Sequence, residues 1–395
     1  MKNRLSHRLQ NISYSQTIAM SAKARELKNK GYDIINLSLG EPDFFPPNFV
    51  LNAAKKAIDE GYHYYTPVSG YTELREVICK KFYRDNKLKY TTSQIVVSTG
   101  AKQSIMNVLL SLLNRDDEVI IPSPYWVSYL QMVKLCEASP VIVSTKIDND
   151  FKIDAEQLEK VITSKTKLFI FSSPCNPTGS VYSYEELKDL AEVFRKYPNV
   201  MILSDEIYEH IRYYGKHVSI AVFPNIYNQV ITLNGLSKAF SMTGWRIGYI
   251  GAPEWISKSC DKIQGQMTSC ANSIAQRAAI SALQSSPIEI EYMIKEFKKR
   301  RNLVLEMIKD IPGFQFSKPN GAFYIFPNVS EFFGERLFGK IIQDSDDFSN
   351  LLLEKANVAT VSGSAFGDSG CIRISYASSE EKIIEAFTRI KKVLS

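Results

Sequence analysis

Seven short apolar segments in the middle of the chain constrain the fold more than any other feature. Each spans three or four residues, most of them β-branched or aromatic, and longer amphipathic stretches separate several of them. The segments cover residues 95–97, 119–121, 141–143, 168–171, 200–203, 230–233 and 247–250. Short apolar runs of this kind are typical of buried strands in a mostly parallel sheet with crossover helices. The pattern therefore predicts an α/β fold.

The stretch Tyr184–Lys196 is predicted to be one of these crossover helices. Its acidic residues come early and its basic residues come late, which matches the helix dipole.

The C-terminal third has a different character and predicts a smaller α+β unit. Residues 289–309 form a long, highly charged helical pattern, and a helix over Glu380–Leu394 closes the chain. Residues 321–326 and 371–376 are predicted to be strands, and the Gly- and charge-rich stretch 333–347 a mobile loop or insertion. Because 395 residues exceed one ordinary core, we expect two domains.

Composition and charge exclude several functional classes. The 48 Lys and Arg residues are interspersed with 42 Asp and Glu residues, and the net charge is only +6. We therefore expect no nucleic-acid partner and no membrane partner. The six cysteines are scattered without C-x-x-C spacing, so we expect neither a disulfide framework nor a metal site, and a cytoplasmic location. Polar residues follow Lys2 and Arg4, so no signal peptide is expected.

Polar residues that follow the predicted strands suggest where a ligand binds. In an open α/β sheet, ligands bind beyond the carboxyl ends of the strands. The residues found there are Gly100, Ala101, Lys102, Trp126, Asn176, Asp205, Tyr208, Ser237, Lys238 and Arg246. Each has an ordinary structural explanation, such as a tight turn, a helix cap or a surface charge. Only a single ligand that uses them together explains the whole set.

Pyridoxal 5′-phosphate (PLP) is the ligand that this set fits. Backbone N–H groups of Gly100, Ala101 and Lys102 at a helix N-terminus are predicted to hold its phosphate, and Arg246 is predicted to clamp it.

The remaining residues of the set are assigned to the cofactor ring. Trp126 is predicted to stack on the ring, and Asp205 to pair with its pyridine nitrogen. Asn176 and Tyr208 are expected to hydrogen-bond the ring hydroxyl oxygen. Lys238 is expected to form the Schiff base and then to act as acid and base.

The sequence resembles the class I/II aminotransferases. Ser-Lys-Ala-Phe-Ser-Met-Thr-Gly-Trp-Arg-Ile-Gly-Tyr at 237–249 is similar to their PLP-lysine signature. The segments at 39–44, 176–179, 204–208 and 364–375 also match family motifs, in order, over nearly the whole chain. Within the class the chain resembles the 1-gamma branch of bacterial aspartate aminotransferases, some of which also use prephenate.

The resemblance implies an architecture and an assembly. It implies the PLP-dependent transferase fold type I, with a large domain at 46–285 around a mostly parallel seven-stranded sheet. Residues 1–45 and 286–395 would form the small domain. The family further implies a homodimer with shared active sites, in which Tyr65 of one subunit reaches the cofactor phosphate of the other. The alternative for Tyr65 is a packing aromatic in a Tyr-rich turn.

The resemblance also implies how the substrate is bound. Arg373 matches the arginine that binds the α-carboxylate, and Asn176, Trp126 and the backbone of Gly40 would complete that subsite. A surface arginine is the alternative, but its apolar neighbours in the sequence argue against it. Lys102 and Thr17 match the pair that binds the distal carboxylate, although Thr17 could instead be an ordinary helix cap.

These matches favour an aspartate aminotransferase that exchanges amino groups between aspartate or glutamate and 2-oxoglutarate or oxaloacetate by a ping-pong mechanism. An aspartate/prephenate or aromatic aminotransferase, or a PLP lyase on the same fold, is the alternative. Two departures bear on this choice. Ser13 stands where prephenate-using relatives have Lys, which puts prephenate use in doubt. Gly235 stands where many relatives have a phosphate-binding hydroxyl, for which Ser237 is a candidate substitute.

Overall fold

The structure is a computed structural model that describes residues 5–395, so Lys2 and Arg4 lie outside the described residues. The α-helices, in chain order, are α1 (His7–Gln10), α2 (Gln16–Asn29), α3 (Asn48–Asp59), α4 (Thr72–Lys81), α5 (Ala101–Leu112), α6 (Ser128–Leu135), α7 (Ala155–Val161), α8 (Tyr184–Lys196), α9 (Glu254–Met267), α10 (Ser273–Gln284), α11 (Glu291–Lys309), α12 (Ser345–Leu351) and α13 (Glu380–Leu394). The strands are β1 (Ile35–Asn36), β2 (Ile95–Thr99), β3 (Glu118–Ser123), β4 (Ser139–Ser144), β5 (Thr166–Ser172), β6 (Met201–Asp205), β7 (Val230–Gly235), β8 (Ile247–Gly251), β9 (Tyr324–Ile325), β10 (Arg336–Leu337), β11 (Lys340–Ile341), β12 (Val358–Ala359), β13 (Val361–Ser362) and β14 (Ile372–Ser375). Across these residues no helix is both long and apolar enough to cross a membrane.

A seven-stranded sheet in the order β2-β8-β7-β6-β5-β3-β4 forms the centre of the fold. All of its strands run parallel except β8, which is antiparallel to both of its neighbours. Each of the seven predicted apolar segments is one of these strands, so the predicted α/β class and the mostly parallel sheet are confirmed.

Apolar layers cover both faces of this sheet. Along β5, Leu168 and Ile170 pack into one apolar cluster, whereas Phe169 and Phe171 pack into a second cluster on the opposite face. Because successive side chains of a strand alternate between faces, a strand buried on both sides must be apolar at nearly every position. This is why the strands appear in the sequence as continuous apolar runs.

The predicted crossover helix at Tyr184–Lys196 is α8, with the same bounds. Ser183 caps it, since its side chain accepts a hydrogen bond from the backbone N–H of Glu186, and the Glu186 side chain accepts one from the Ser183 N–H in return. This reciprocal capping satisfies two backbone donors that have no partner inside the helix, so it fixes where the helix begins.

A further apolar cluster joins the two ends of the chain. It contains Phe297 of α11, Ile325 of β9, Ile374 of β14 and Phe387 of α13, and also Ile35 of β1. Strand β14 pairs antiparallel with β9 and with β13, and β1 pairs parallel with β12. The charged helix predicted at 289–309 is α11, and the two predicted strands are the shorter β9 and β14.

The prediction of a mobile loop at 333–347 is wrong. Strands β10 and β11 form an antiparallel hairpin there, and α12 begins at Ser345. The two residues of the hairpin turn, Phe338 and Gly339, have φ angles of 50° and 82°. A two-residue turn with positive φ at both positions matches the twist of paired strands. The glycine that suggested a loop is therefore part of a regular turn.

Candidate active site

A cavity of about 530 Å³ lies where the parallel strands end. It brings together side chains from both ends of the chain and from the central sheet. Those that the sequence predicted are Thr17, Gly40, Ala101, Lys102, Trp126, Asn176, Asp205, Tyr208, Ser237, Lys238, Arg246 and Arg373. Residues that are more than 350 positions apart therefore share one site.

Lys238 lies just after the end of β7, on the wall of the cavity. Its Nζ donates a hydrogen bond to the carbonyl oxygen of Gly40 at 2.6 Å and lies 5.9 Å from the ring centroid of Tyr208. Burial of the ammonium group lowers the pKa of Lys238 to about 8. A larger fraction of the amine is thus neutral near physiological pH than for an ordinary lysine, and the neutral amine is the nucleophile.

Asp205 is the last residue of β6 and is only 5% exposed. One carboxylate oxygen accepts a hydrogen bond from the Tyr129 hydroxyl at 2.6 Å, and the other accepts one from the Ile207 N–H at 3.1 Å. Burial raises the pKa of Asp205 to about 6, although both hydrogen bonds oppose this shift. A buried carboxylate held in this way is suited to pair with a cation that enters the cavity.

Arg373 is buried in β14 without an anionic partner. It is 2% exposed, and its guanidinium donates to Asn176 Oδ1 at 2.9 Å and to the carbonyl oxygen of Ser38 at 2.6 Å. Its Nε has no hydrogen-bond partner, and among residues 5–395 no carboxylate forms an ion pair with it. The surface-arginine alternative is therefore wrong. A buried arginine without a counter-ion is destabilising, so the site is suited to an incoming carboxylate.

Arg246 and Gly100 form a second anion-binding arrangement. Gly100 is the N-cap of α5 and has a φ of 82°, and the Arg246 guanidinium occupies the space that a Cβ at Gly100 would need. Arg246 donates to the carbonyl oxygen of Thr243 at 2.8 Å and forms no ion pair within the described chain. A helix N-terminus with an adjacent arginine is a favourable position for a phosphate group.

Lys102, Trp126 and Thr17 also line the cavity. Lys102 Nζ is 5.0 Å from the ring centroid of Trp126, and burial together with the charge of Arg246 lowers the Lys102 pKa. Thr17 lies in the first turn of α2, where Ser15 is the N-cap and its hydroxyl oxygen is 2.8 Å from that of Thr17. Thr17 is thus not the cap of this helix, and its side chain borders the cavity.

Several cavity residues were not identified from the sequence. Tyr129 binds Asp205, and the Tyr324 hydroxyl lies 2.8 Å from that of Tyr208 while its ring lies 4.6 Å from the guanidinium carbon of Arg373. Arg25 and Glu41 also line the cavity. A buried tyrosine needs a hydrogen-bond partner for its hydroxyl group. A tyrosine at a position predicted to be buried is therefore the general signal that could have identified Tyr129 and Tyr324.

Three further sequence predictions fall outside the cavity. Tyr65 is 92% exposed and does not border the cavity. Ser13 also lies outside, and its backbone N–H donates to Gln131 Oε1 at 2.9 Å. At Gly235 a Cβ would lie 2.8 Å from the carbonyl oxygen of Ile247, so a side chain there would require the neighbouring backbone to shift.

Comparison with known proteins identifies the family. A sequence model of the family described as Aminotransferase class I and II matches residues 32–390, which is most of the chain. The chain belongs to the class I and II aminotransferases. An aminotransferase of this family uses PLP, and the substrates are small amino acids and 2-oxo acids, in agreement with the sequence-based prediction.

Individual relatives extend over the full length of this aminotransferase. A probable aspartate/prephenate aminotransferase of Rhizobium leguminosarum bv. phaseoli is 48% identical and covers 98% of both chains. The solved aspartate aminotransferase of Rhizobium meliloti is 41% identical over 99% of this chain and 98% of its own, with a TM-score of 0.96. The Thermus thermophilus enzyme with maleate is 38% identical over 99% of both chains, with a TM-score of 0.93. These likenesses confirm the predicted fold type I.

The residues present in the cavity fit PLP. The cofactor has an aldehyde, a protonatable ring nitrogen and a phosphate, and the cavity offers a group for each of them. Lys238 has an amine with a lowered pKa, Asp205 is a buried carboxylate, and Arg246 lies at the N-terminus of α5 without a counter-ion. Each matches the chemistry of one part of the cofactor.

Proposed function

We propose that this aminotransferase moves an amino group between L-aspartate or glutamate and 2-oxoglutarate or oxaloacetate by a ping-pong mechanism. The observation that carries the proposal is the buried guanidinium of Arg373, which has no counter-ion in a cavity that also contains Lys102 and Lys238. A substrate with a carboxylate at each end would neutralise two separate cations there. The names of the relatives from Rhizobium and Thermus support the same substrate class.

When bound, PLP supplies an aldehyde for Lys238 and a ring that takes up electrons from the substrate. Asp205, held by Tyr129, keeps a negative charge beside the ring nitrogen and so favours its protonated form. Asn176 and Tyr208 would hydrogen-bond the ring hydroxyl oxygen. The neutral amine of Lys238 would take the proton from the substrate Cα, hold it as an ammonium group and then deliver it to the cofactor.

The phosphate and the substrate are held by the cations of the cavity. The backbone of Gly100, Ala101 and Lys102, the Ser237 hydroxyl and Arg246 would hold the phosphate.

The α-carboxylate binds Arg373, together with Asn176, Trp126 and the backbone of Gly40. Movement of the part of the chain that carries Arg373 toward the central sheet would exclude water from the site.

Lys102 and Thr17 are proposed to bind the distal carboxylate of the substrate, because both border the cavity and Lys102 lies beside Trp126. Prephenate is a second candidate substrate, which the name of the Rhizobium leguminosarum relative favours. Ser13, where prephenate-using relatives have Lys, argues against it, since Ser carries no charge for an additional carboxylate.

We further propose a homodimer in which Tyr65 of each subunit completes the site of the other. Its 92% exposure in the single chain supports this proposal, as does the neighbouring exposed Tyr64. Residues 46–285 are proposed as the large domain and 1–45 with 286–395 as the small domain. Two apolar clusters support this division, because most members of each fall within one of the proposed domains, although several residues of 207–213 pack with the second cluster and Ile290 packs with the first. Six free thiols favour a reducing compartment, which we propose is the cytoplasm.

Single amino acids test the proposed activity. The PLP form is mixed with one amino acid at a time, and the loss of the visible cofactor absorbance is followed. Aspartate and glutamate should convert the cofactor, and leucine and phenylalanine should not, while added 2-oxoglutarate should restore the band. If no amino acid converts the cofactor, the proposal is wrong.

Lys238→Ala tests the cofactor attachment and should abolish it, because no other amine is expected to replace Nζ. Borohydride reduction followed by mass spectrometry measures covalently bound cofactor. Lys340→Ala, in the exposed hairpin strand β11, is the matched control and should retain full labelling. Labelling of the Lys238→Ala variant at the wild-type level would disprove the assignment.

A further inference from the structure

Tyr324 contacts both Tyr208, which the proposed function assigns to the cofactor ring oxygen, and Arg373, which it assigns to the substrate carboxylate. Its side chain is fully buried, and its hydroxyl oxygen lies 2.8 Å from that of Tyr208. The guanidinium carbon of Arg373 lies 4.6 Å from the centroid of its ring. Asn176 also connects Arg373 to the position assigned to the ring oxygen, but Tyr324 is the side chain that contacts both Tyr208 and Arg373.

Gly40 leaves room for this hydroxyl. A Cβ at Gly40 would lie 2.7 Å from the Tyr324 hydroxyl oxygen, so any larger residue would displace it. The carbonyl oxygen of the same glycine accepts the hydrogen bond from Lys238. The Tyr324 hydroxyl is therefore packed against the backbone that also positions the cofactor lysine.

The chemistry of the two hydroxyls fixes the direction of their hydrogen bond once the cofactor is present. Tyr208 must use its single proton to donate to the ring oxygen of PLP. Its lone pairs then accept, so Tyr324 becomes the donor to Tyr208. The positive charge of Arg373 beside the Tyr324 ring makes its hydroxyl a stronger donor, because the charge favours loss of the proton.

We propose that Tyr324 is a positioning residue that couples Arg373 to Tyr208, and through Tyr208 to the cofactor oxygen. When a substrate carboxylate neutralises Arg373, Tyr324 donates less strongly, and Tyr208 in turn holds the cofactor oxygen less strongly. The ring oxygen becomes more basic, and the linkage to Lys238 retains its proton to higher pH. The inference rests on the proposed function, because it requires Arg373 to bind the carboxylate.

A second buried pair of tyrosines provides a matched control. The hydroxyls of Tyr213 and Tyr376 lie 3.2 Å apart, both side chains are buried, and neither borders the cavity. Tyr376→Phe therefore removes a hydroxyl from a similar pair without touching Arg373 or Tyr208. Any general effect of losing a buried phenol hydroxyl should appear in both variants.

The test is an absorbance titration of the holoenzyme against pH, with and without succinate, a dicarboxylate that has no amino group. In the wild type, succinate should raise the apparent pKa of the lysine–cofactor linkage. Tyr324→Phe should raise the apparent pKa without succinate by about one unit, a tenfold change in proton affinity, and should reduce the shift caused by succinate to less than half. Tyr376→Phe should leave both values unchanged.

Two further results distinguish the inference from the proposed function. In a Tyr208→Phe background, Tyr324→Phe should have no additional effect on the pKa, because the coupling passes through Tyr208. A wild-type pKa and a wild-type succinate shift in Tyr324→Phe would overturn the inference while leaving the proposed function intact. A wild-type enzyme without a titrating band would overturn the Lys238 assignment and the inference with it.

Discussion

The two ends of the cavity differ in the burial of their side chains and in how many of those side chains already have partners within the chain. The inner end consists of buried side chains that contact one another in pairs: Asp205 with Tyr129, Tyr208 with Tyr324, and Arg373 with Asn176. The outer end consists of side chains that are half-buried or exposed and have few partners: Thr17, Arg25, Lys102 and Arg246.

This difference indicates that the side chains of the inner end are already positioned before a ligand binds, whereas those of the outer end are not. Donors that are already oriented in a buried site need no rearrangement during the reaction, so they stabilise charge more than mobile surface groups do. In the proposed function, the cations of the outer end would gain anionic partners from the cofactor phosphate and the substrate. Variants of the inner end should therefore have the larger effects.

Arg373→Lys should have the largest effect among substitutions that leave the cofactor attached. Lysine retains the charge but loses the paired donors, so kcat/KM for aspartate should fall by about 10²–10³-fold. Steady-state kinetics measure this, and Arg389→Lys in α13, whose guanidinium pairs with Asp33 and Glu385, is the control with unchanged kinetics. A loss of less than tenfold would show that Arg373 is not the main carboxylate ligand.

Asp205→Asn should stabilise the cofactor-free protein above pH 6. The Asp205 pKa is about 6 in the folded chain and 3.8 in the reference state, so the folded protein binds this proton more tightly. Its stability therefore falls as the pH rises from about 4 to 6 and stays lower above pH 6. Asparagine carries no charge, so urea unfolding at pH 8 should show a gain of about 3 kcal/mol, and about half of that at pH 5.

The same substitution should lower kcat in the holoenzyme, because the ring nitrogen loses its anionic partner. Glu331→Gln, at an exposed position, is the control and should change neither quantity. Equal stabilities of Asp205→Asn and wild type at pH 8 would mean that the buried carboxylate is not desolvated as the structure indicates.

Lys102→Met tests the outer end and should have a smaller, substrate-selective effect. A partly exposed ion pair contributes about 1 kcal/mol, so KM for aspartate and glutamate should rise by roughly five- to tenfold. KM for alanine, which has no distal carboxylate, should stay the same, and Lys102→Arg should retain much of the dicarboxylate preference. A rise that is equal for alanine and aspartate would assign Lys102 to the cofactor alone.

Tyr65→Phe should have the smallest effect, a few-fold loss of cofactor affinity, since one hydroxyl hydrogen bond contributes about 1 kcal/mol. Cofactor titration of the cofactor-free protein measures it, with the exposed Tyr64→Phe as the matched control. Mixing Tyr65→Phe chains with Lys238→Ala chains should yield hybrid dimers with one fully native site. A monomer in sedimentation experiments would contradict the shared site.

The sequence was sufficient for the central sheet and for residues that lie next to strand ends. A strand that is buried on both faces is apolar at nearly every position, so it appears in the sequence as a continuous apolar run. Asp205 and Lys238 lie at or just after the ends of two such runs. The family motifs then gave these residues their roles.

Contacts between distant parts of the chain were not predictable in this way. Tyr129 and Asp205 are in contact although they are 76 positions apart in the sequence, and Tyr324 and Tyr208 are 116 positions apart. No local sequence pattern predicts such a contact, because it depends on how the folded strands and loops pack. The turn at Phe338 was missed for another reason, since glycine signals both loops and tight hairpins.

The hydrogen bond from Arg373 to the carbonyl oxygen of Ser38 spans 335 positions of the chain. During synthesis the ribosome releases Ser38 and Lys238 long before it adds Arg373, which lies 135 positions after Lys238. The pocket for the cofactor can therefore begin to assemble on a chain that has no means yet of holding a substrate carboxylate. In the proposed function, a newly made chain would therefore become able to bind the substrate carboxylate later than it places the cofactor lysine.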